Sequence, residues 1–194
     1  VVWADYRNGS SLLYAQRLNA AGVPQWNAAG NLVCAVAGDK YNPVIVSDGA
    51  GGAVIAWEDL RTGAYDVYAQ RLNSAGAILW TSTAVPVCTR TLEQSWLHLV
   101  ADGAGSFYLS WEDESPGSVW NAYVQKLNLS GAAQWPANGL LVCANIDFRS
   151  QPRLAPDGLG GVWVAFQYGP DRLAYVQRVS SPGATVFAAP GRAT

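Results

Sequence analysis

The stretch from Trp57 to Trp80, WEDLRTGAYDVYAQRLNSAGAILW, decides the fold because the chain repeats it with variations. The same frame returns from Trp3 to Trp26, from Trp111 to Trp135 and, more loosely, from Phe166 to Phe187. The tryptophans that open the first three copies are 54 residues apart, and Phe166 follows after 55. A regular period of this length predicts a repeat architecture.

Each repeat contains four short segments with the composition of β-strands. In the unit that begins near Asn42, Pro43–Ser47 and Ala53–Trp57 are apolar and flank a glycine-rich turn that starts at Asp48. No segment has helical periodicity over a useful length. The remaining two strands of this unit are predicted at Tyr65–Leu72 and Ile78–Cys88. In the incomplete first unit the strands are predicted at Val1–Asp5, Leu12–Leu18 and Val23–Trp26 resuming at Asn31–Ala35.

Four strands in a repeat of 54 residues predict an all-β protein, and more narrowly a β-propeller in which each repeat is one blade. Strands such as Ala53–Trp57 are apolar at successive positions, which indicates burial on both faces of the sheet. A β-solenoid is the main alternative, but its coils are usually shorter, about 20 to 30 residues.

The period divides residues 1–194 into three full blades and three strands of another, at 1–41, 42–95, 96–149 and 150–194. The first and last blades then have no evident closing partner. We expect them to belong to a larger propeller of six to eight blades, or to one that two chains complete by self-association, and a four-bladed propeller is the remaining alternative. The chain also enters in the middle of a repeat, so we expect a fragment or a processed product.

Composition excludes several classes of function. A net charge of −2, a pI near 5.2 and no run of Lys or Arg argue against a nucleic-acid partner. No apolar stretch approaches the roughly 20 residues of a membrane-spanning helix, so we expect no membrane insertion. With one His, three Cys and no Met, we also expect neither a metal site nor a cofactor.

The repeated frame resembles propeller-like repeats of large secreted bacterial surface proteins. The residues that carry the resemblance are Trp57–Gly63, Asp66–Gly76, Trp80, Val87–Cys88 and Val46–Gly52, and their equivalents extend it over nearly the whole chain. The resemblance implies an extracellular or cell-surface setting with a scaffold or adhesion role, and it implies no particular reaction.

A weaker resemblance is to the Asp-box of sialidase-like propellers. It is carried by Ser47–Gly51 followed by Trp57. The spacing differs, since Asp48 directly follows Ser47 here, and the arginine, tyrosine and glutamate set of those enzymes has no counterpart that we can assign.

Polar residues that recur once per repeat are more readily explained by the fold than by a site, because catalytic groups must converge in one pocket. An Asp before glycines binds turn amides, and a single carboxylate is too few for Ca²⁺. The recurring positions, which we interpret as structural, are Trp3, Trp57, Trp111, Asp48, Asp102, Asp157, Gln16, Gln70, Gln125 and Gln177.

The cysteines recur as well, at Cys34, Cys88 and Cys143. Equivalent positions in neighbouring blades should be about 10 Å or more apart, whereas a disulfide needs Cα atoms within about 7 Å. We therefore predict three buried free thiols and no disulfide. His98 is the single histidine, and we predict that it packs or forms a hydrogen bond within a strand rather than acting as a base.

A residue that a binding site requires need not recur in every blade. Five aromatic residues at predicted loops or strand ends lack matching aromatics in most other repeats, and aromatic side chains at a rim can stack on sugars or anchor a protein. These candidate binding residues are Tyr41, Trp96, Trp120, Phe148 and Tyr168. Packing within the loops of each blade is the alternative interpretation.

Three functions remain. The leading hypothesis is a non-enzymatic structural or adhesive module of a secreted or cell-surface protein, with a protein or glycan partner. The second is a glycan-binding propeller that uses the non-repeating aromatics. The third is a glycoside-processing enzyme with acids such as Glu58, Asp59, Glu112 and Asp113, which would have to face one another at about 5 to 10 Å.

Overall fold

A computed structural model describes residues 1–7, 9–146 and 149–194, and in these residues it contains β-strands and no helix. The strands form four antiparallel sheets in chain order. The first sheet has three strands, β1 (Val2–Asp5), β2 (Leu12–Ala15) and β3 (Asn31–Leu32). The second has four, β4 (Lys40–Ser47), β5 (Ala53–Asp59), β6 (Asp66–Leu72) and β7 (Val85–Cys88).

The third and fourth sheets repeat the order of the second. The third consists of β8 (Gln94–Ala101), β9 (Phe107–Ser115), β10 (Val119–Leu127) and β11 (Leu140–Ile146). The fourth consists of β12 (Arg153–Pro156), β13 (Val162–Tyr168), β14 (Leu173–Val179) and β15 (Arg192–Ala193). Each strand pairs with its neighbour in sequence, so every sheet is a simple meander.

This arrangement confirms the predicted all-β class and the propeller-like blades, three of four strands preceded by one of three. The first strands β4, β8 and β12 lie next to one another, and the sheets spread outward from them. β1 pairs with β2 as β5 pairs with β6, so the first sheet contains the counterparts of the second to fourth strands. The first strands therefore line the inner edge of the fan.

The fourth strand of the second blade is shorter than the sequence predicts. β7 covers only Val85–Cys88 of the predicted Ile78–Cys88, and Ile78 forms an isolated bridge with Leu72. The cause is the Gln70 side chain, which accepts a hydrogen bond from the Trp80 amide at 3.2 Å and donates to the Thr81 carbonyl at 2.7 Å. These bonds hold the chain away from the sheet between the bridge and β7.

The first unit shows the same difference. β2 ends at Ala15 instead of Leu18, and β3 covers only Asn31–Leu32. Gln16 has the role of Gln70 here, because its side chain accepts from the Trp26 amide at 2.9 Å. The predicted strand at Val23–Trp26 is reduced to a bridge between Leu18 and Pro24.

A bulge interrupts the first strand of the second and third blades. β4 and β8 begin two residues before the unit boundaries predicted at Asn42 and Trp96, and their pairing with the next strand shifts across these two residues. Asn42, Trp96 and their counterpart Gln151 all have a positive φ, of 47°, 59° and 49°. The shared backbone geometry turns these three residues out of the ladder at the inner edge.

Apolar side chains fill the spaces between neighbouring sheets. All seven residues of β5 are buried, and so are the first seven of β9, because each of these strands has a sheet on both sides. In β13 burial alternates instead, and Trp163 is 38% exposed. The outer face of the fourth sheet is thus uncovered in the described residues.

One contact recurs between successive blades. The Trp26 indole donates to the Ser74 carbonyl at 3.0 Å and packs on the turn at Gly76 of the second blade. Trp80 and Trp135 pack in the same way on Gly131 and Gly183. A Cβ at these glycines would clash with the indole, so the sequence pairs a Trp in one blade with a Gly in the next.

Candidate functional site

The candidate site is a cavity of about 660 Å³ at the inner edge, where the second and third blades meet. Its walls come from the bulged parts of β4 and β8, from the ends of β5 and β12, from the loops before β6 and β8, and from the start of β10. Cavities of about 300 to 1,000 Å³ are the usual size for small-molecule sites. The residues that line it are Asn42, Pro43, Val44, Glu58, Tyr65, Glu93, Ser95, Trp96, Leu97, Trp120 and Arg153.

Three aromatic side chains lie in these walls, and two of them are predicted binding residues. Trp96 comes from the β8 bulge, and Trp120 comes from β10. Tyr65 precedes β6 and occupies the position in its blade that Trp120 has in the next. The cavity therefore brings together aromatic residues that are far apart in the sequence.

The backbone of Trp96 is unusual for its residue type. Its φ of 59° lies in the left-handed region, where bulky side chains are rare, and the equivalent residues in the other blades are Asn42 and Gln151. Strain of this kind, of the order of 1 to 3 kcal/mol, tends to occur at functional sites. A tryptophan at this bulge places a large aromatic surface in the cavity wall.

Two carboxylates share the cavity with these aromatics. Glu58 is 3% exposed; its Oε1 accepts a hydrogen bond from the Trp96 amide at 3.0 Å, and its Oε2 accepts one from Asn42 Nδ2 at 2.7 Å. Glu93 is only partly buried, and its Oε2 accepts a longer bond from the Tyr65 amide at 3.3 Å. Glu58 is thus held firmly, whereas Glu93 has one weak hydrogen bond.

The surroundings of Glu58 disfavour the ionised form of its carboxyl group. Burial raises the pKa of Glu58, the negative charge of Glu93 raises it further, and the bonds from Asn42 and Trp96 only partly oppose this. Burial also raises the pKa of Glu112, which accepts from the amides of Arg149 and Gln151 at 3.0 and 2.6 Å. Both glutamates bind the bulge of the next blade, but only Glu58 is influenced by a second carboxylate.

The other acids weighed for glycoside chemistry lie elsewhere. Asp59 is buried and paired with Arg61 at 2.6 Å, with the Lys40 ammonium 3.8 Å away. Asp113 lies 3.6 Å from Arg90, and neither aspartate lines the cavity. Of the four acids, the structure places only Glu58 in this pocket.

Two further candidate aromatics, Tyr41 and Tyr168, are not in the cavity wall. Tyr41 packs edge-on against Tyr65 and donates its hydroxyl to Asp39 at 3.2 Å, so it supports the wall from behind. Tyr168 packs against Tyr175 in the fourth sheet, away from the site. Phe148 lies outside the described residues.

The recurring residues take part in the contacts of their own blades. Trp57 is fully buried and donates its indole N–H to Asp59 at 2.7 Å. Asp48 accepts from the amides of Ala50 and Gly52 at 2.8 Å, and Arg71 pairs with it at 2.9 Å. The same roles recur at equivalent positions, namely Trp3, Asp102, Asp157, Gln16, Gln70, Gln125 and Gln177. Trp111 is also buried, and its indole N–H has no hydrogen-bond partner among the described residues.

His98 and the thiols have structural surroundings. His98 Nδ1 accepts from the Leu154 amide at 3.1 Å, and burial together with the charge of Arg153 lowers its pKa. This hydrogen bond joins β8 to β12, as expected for a histidine within a strand. Cys34, Cys88 and Cys143 are buried free thiols on three successive blades, also as predicted.

Metal-binding clusters and membrane-spanning helices are both absent from the part of the chain that the structure describes. Within residues 1–7, 9–146 and 149–194, no group of three or more His, Cys, Asp or Glu is arranged to hold a metal ion. In the same residues there is no helix whose length and apolarity would let it cross a membrane.

Comparison with known proteins supports the fold. No family model matches the chain, and no curated protein matches it. Among solved structures it is similar to puromycin hydrolase, with 18% identity and a TM-score of 0.50. The match covers 96% of this chain and 29% of that one, so the chain spans less than a third of the solved protein. At this identity the likeness bears on the propeller architecture alone.

Glu93 was not predicted from the sequence as a residue of the site. Glu93 occupies the position of Asp39 in the preceding repeat, so its recurrence as an acid concealed it. Asp39 accepts from the Ser11 amide at 2.8 Å just as Glu93 accepts from the Tyr65 amide. The signal was the extra methylene of Glu93, together with aromatics at two positions where the preceding interface has Ser11 of the first blade and Asn42 of the second.

Proposed function

We propose that this chain is a non-enzymatic binding module of a secreted or cell-surface protein, and that the cavity between its second and third blades holds a sugar unit of a surface glycan. One observation carries the proposal: Trp96 and Trp120, which break the repeat, line the same cavity. Repeat-breaking aromatics that served only local packing would have no reason to meet there.

The chemistry of the walls agrees with a saccharide. The flat aromatic faces can stack on the C–H face of a sugar, while Asn42, Ser95 and the carboxylates offer groups for hydroxyls. The secreted setting rests on the resemblance of the repeated frame to surface proteins, and adhesion is the role that such a module would have there.

A glycan array tests the proposal, followed by calorimetry with each sugar that binds. We expect Trp120→Ala to weaken binding about tenfold or more, because it removes a stacking surface worth about 1.5 kcal/mol. Trp163→Ala is the matched control, since Trp163 is an exposed tryptophan on the far face of the fourth sheet. Equal affinity of both variants and the unmodified protein would refute the cavity as the sugar site.

Glycoside hydrolysis is the second candidate. Glu58 and Glu93 lie in one cavity, and the pKa of Glu58 is raised as that of a general acid would be. Against this, both oxygens of Glu58 are already bound, to Trp96 and Asn42. Release of nitrophenol from nitrophenyl glycosides, abolished by Glu93→Gln, would favour the enzyme over the binding module.

A further inference from the structure

We propose that the cavity selects a ligand that carries a positively charged amino group, seated against Glu93 and Glu58 and enclosed by Tyr65, Trp96 and Trp120. This inference rests on the proposed function and specifies its ligand class: an amine-bearing sugar such as a glucosamine unit. Three features of the cavity support it: its charge balance, its aromatic walls and a hydrogen-bond acceptor without a partner.

The two carboxylates of the cavity differ from several buried aspartates in their ion pairing. Several buried aspartates have a cation close by: Arg71 lies 2.9 Å from Asp48, Arg61 lies 2.6 Å from Asp59, and Arg178 lies 2.7 Å from Asp157. Within the described residues, neither Glu58 nor Glu93 forms an ion pair. A carboxylate removed from water is costly unless it is paired, and the cavity lacks the cation that these three aspartates have.

Arg153 does not supply the cation that Glu58 and Glu93 lack. It belongs to the cavity wall, but its Nη2 donates to Gln151 Oε1 at 2.9 Å, and its side chain is exposed. No nitrogen of Arg153 lies within 4.0 Å of either carboxylate, because the described residues contain no such ion pair. A ligand cation would therefore meet two carboxylates that form no ion pair within the described residues.

The aromatic walls indicate an organic cation. Tyr65 and Trp120 can each attract an ammonium group to the face of the ring, and this attraction strengthens where water is excluded. The Trp96 ring already has the Arg149 guanidinium 5.9 Å from its centroid. A metal ion would need more oxygen ligands than two carboxylates supply. The combination of carboxylates with aromatic faces fits an amine joined to a ring or chain that can stack.

An unused acceptor lies in the same wall. Ser95 lines the cavity, and its Oγ is buried without a hydrogen-bond partner among the described residues. A buried hydroxyl without a partner is uncommon and asks for an explanation. An ammonium group has three N–H donors, and one of them could supply the missing hydrogen bond.

The closing experiment compares two sugars that differ at the amino group. Binding of glucosamine oligosaccharides and of N-acetylglucosamine oligosaccharides of equal length is measured by calorimetry near neutral pH, with an alkylammonium salt as a third probe. We expect the amine-bearing oligosaccharides to bind at least about tenfold more tightly, since acetylation removes the charge. Equal affinity for the two sugars would overturn the amine inference and leave the saccharide site standing.

Two other outcomes separate this inference from the proposed function. Binding of the alkylammonium salt alone would support the cation site and refute the saccharide. Failure of all three probes would refute both.

Variants locate the effect in the cavity. We expect Glu93→Gln to reduce the preference for the amine about tenfold or more, because it keeps the shape and removes the charge. Asp39→Asn is the matched control, since Asp39 has the equivalent position in the preceding blade and does not line the cavity. An unchanged preference in a folded Glu93→Gln protein would contradict the proposal.

Discussion

Glu58, at the end of β5, accepts a hydrogen bond from the backbone amide of Trp96, in the bulge of β8, at 3.0 Å. The bond connects two blades and at the same time fixes the tryptophan that lines the cavity. Glu112 makes the same connection to Gln151 in the next blade, at 2.6 Å. The repeat thus supplies a rigid link, and the residue placed on it decides whether the link also serves a site.

The link predicts a loss of stability when it is cut. Glu58→Ala leaves the Trp96 amide and the Asn42 side chain without their acceptor, so we expect the free energy of unfolding to fall by about 1 to 3 kcal/mol. Urea denaturation measures the change. Glu114→Ala is the control, because no described hydrogen bond reaches the Glu114 side chain, and an equal loss in both variants would contradict the assigned role.

The tryptophan contact between blades gives a second prediction. Gly76 has a φ of +79°, and a Cβ there would clash with Asn31 Nδ2 and lie 2.8 Å from Trp26 Cδ2. Its counterpart Gly22 has a φ of +77° with nothing within 4 Å. We expect Gly22→Ala to cost only the backbone strain, about 1 to 2 kcal/mol, and Gly76→Ala to cost about 1 to 3 kcal/mol more.

Thermal or urea unfolding of the two glycine variants separates the backbone strain from the steric clash at Gly76, because the strain is common to both variants. Equal destabilisation would show that Trp26 can move aside without lowering the free energy of unfolding. A larger loss in Gly22→Ala would contradict the blade contact altogether.

The Asp48 turn predicts a dependence on pH. Burial raises the pKa of Asp48, but the amides of Ala50 and Gly52 and the Arg71 guanidinium outweigh it, so the pKa lies below the ordinary value of 3.8. A carboxyl whose pKa is lowered by folding stabilises the protein above its unfolded pKa, and this contribution disappears as the pH falls through the folded pKa.

We therefore expect the stability difference between the unmodified protein and Asp48→Asn to be largest above about pH 5, and to shrink as the pH falls below 3.8. Urea midpoints over this range measure it. Asp171→Asn, at an exposed position in the turn before β14, controls for the substitution itself. A difference for Asp48→Asn that grows toward acid pH would have the wrong sign.

The repeat made the fold predictable, and it also limited what could be predicted of the site. The spacing of Trp3, Trp57 and Trp111 is sufficient to define the blades. Strand ends were less accessible, because the Gln70 side chain competes with sheet pairing near Trp80, and this competition leaves no mark in local composition.

The cavity was predictable only in part. Trp96 and Trp120 stand out because most other blades lack aromatics at those positions, but their meeting with the second blade depends on the first strands β4 and β8, which lie next to each other. Glu93 was hidden because an acid recurs at its position, and Tyr168 stood out without belonging to the cavity. A break in the repeat thus identifies candidates, and the packing of blades decides which of them meet.

The buried thiols give the last prediction. Burial raises the pKa of Cys88 to about 12 and that of Cys143 to about 11, and both side chains are nearly inaccessible to solvent. Because the thiolate is the reactive form, iodoacetamide at about pH 8 should label neither residue in the folded protein, whereas in concentrated urea all three cysteines should react. Mass spectrometry of the labelled peptides distinguishes the sites. Labelling of Cys88 in the folded protein at the rate seen in urea would mean that the interface between the second and third blades opens readily, and the cavity on that interface could not then be a preformed site.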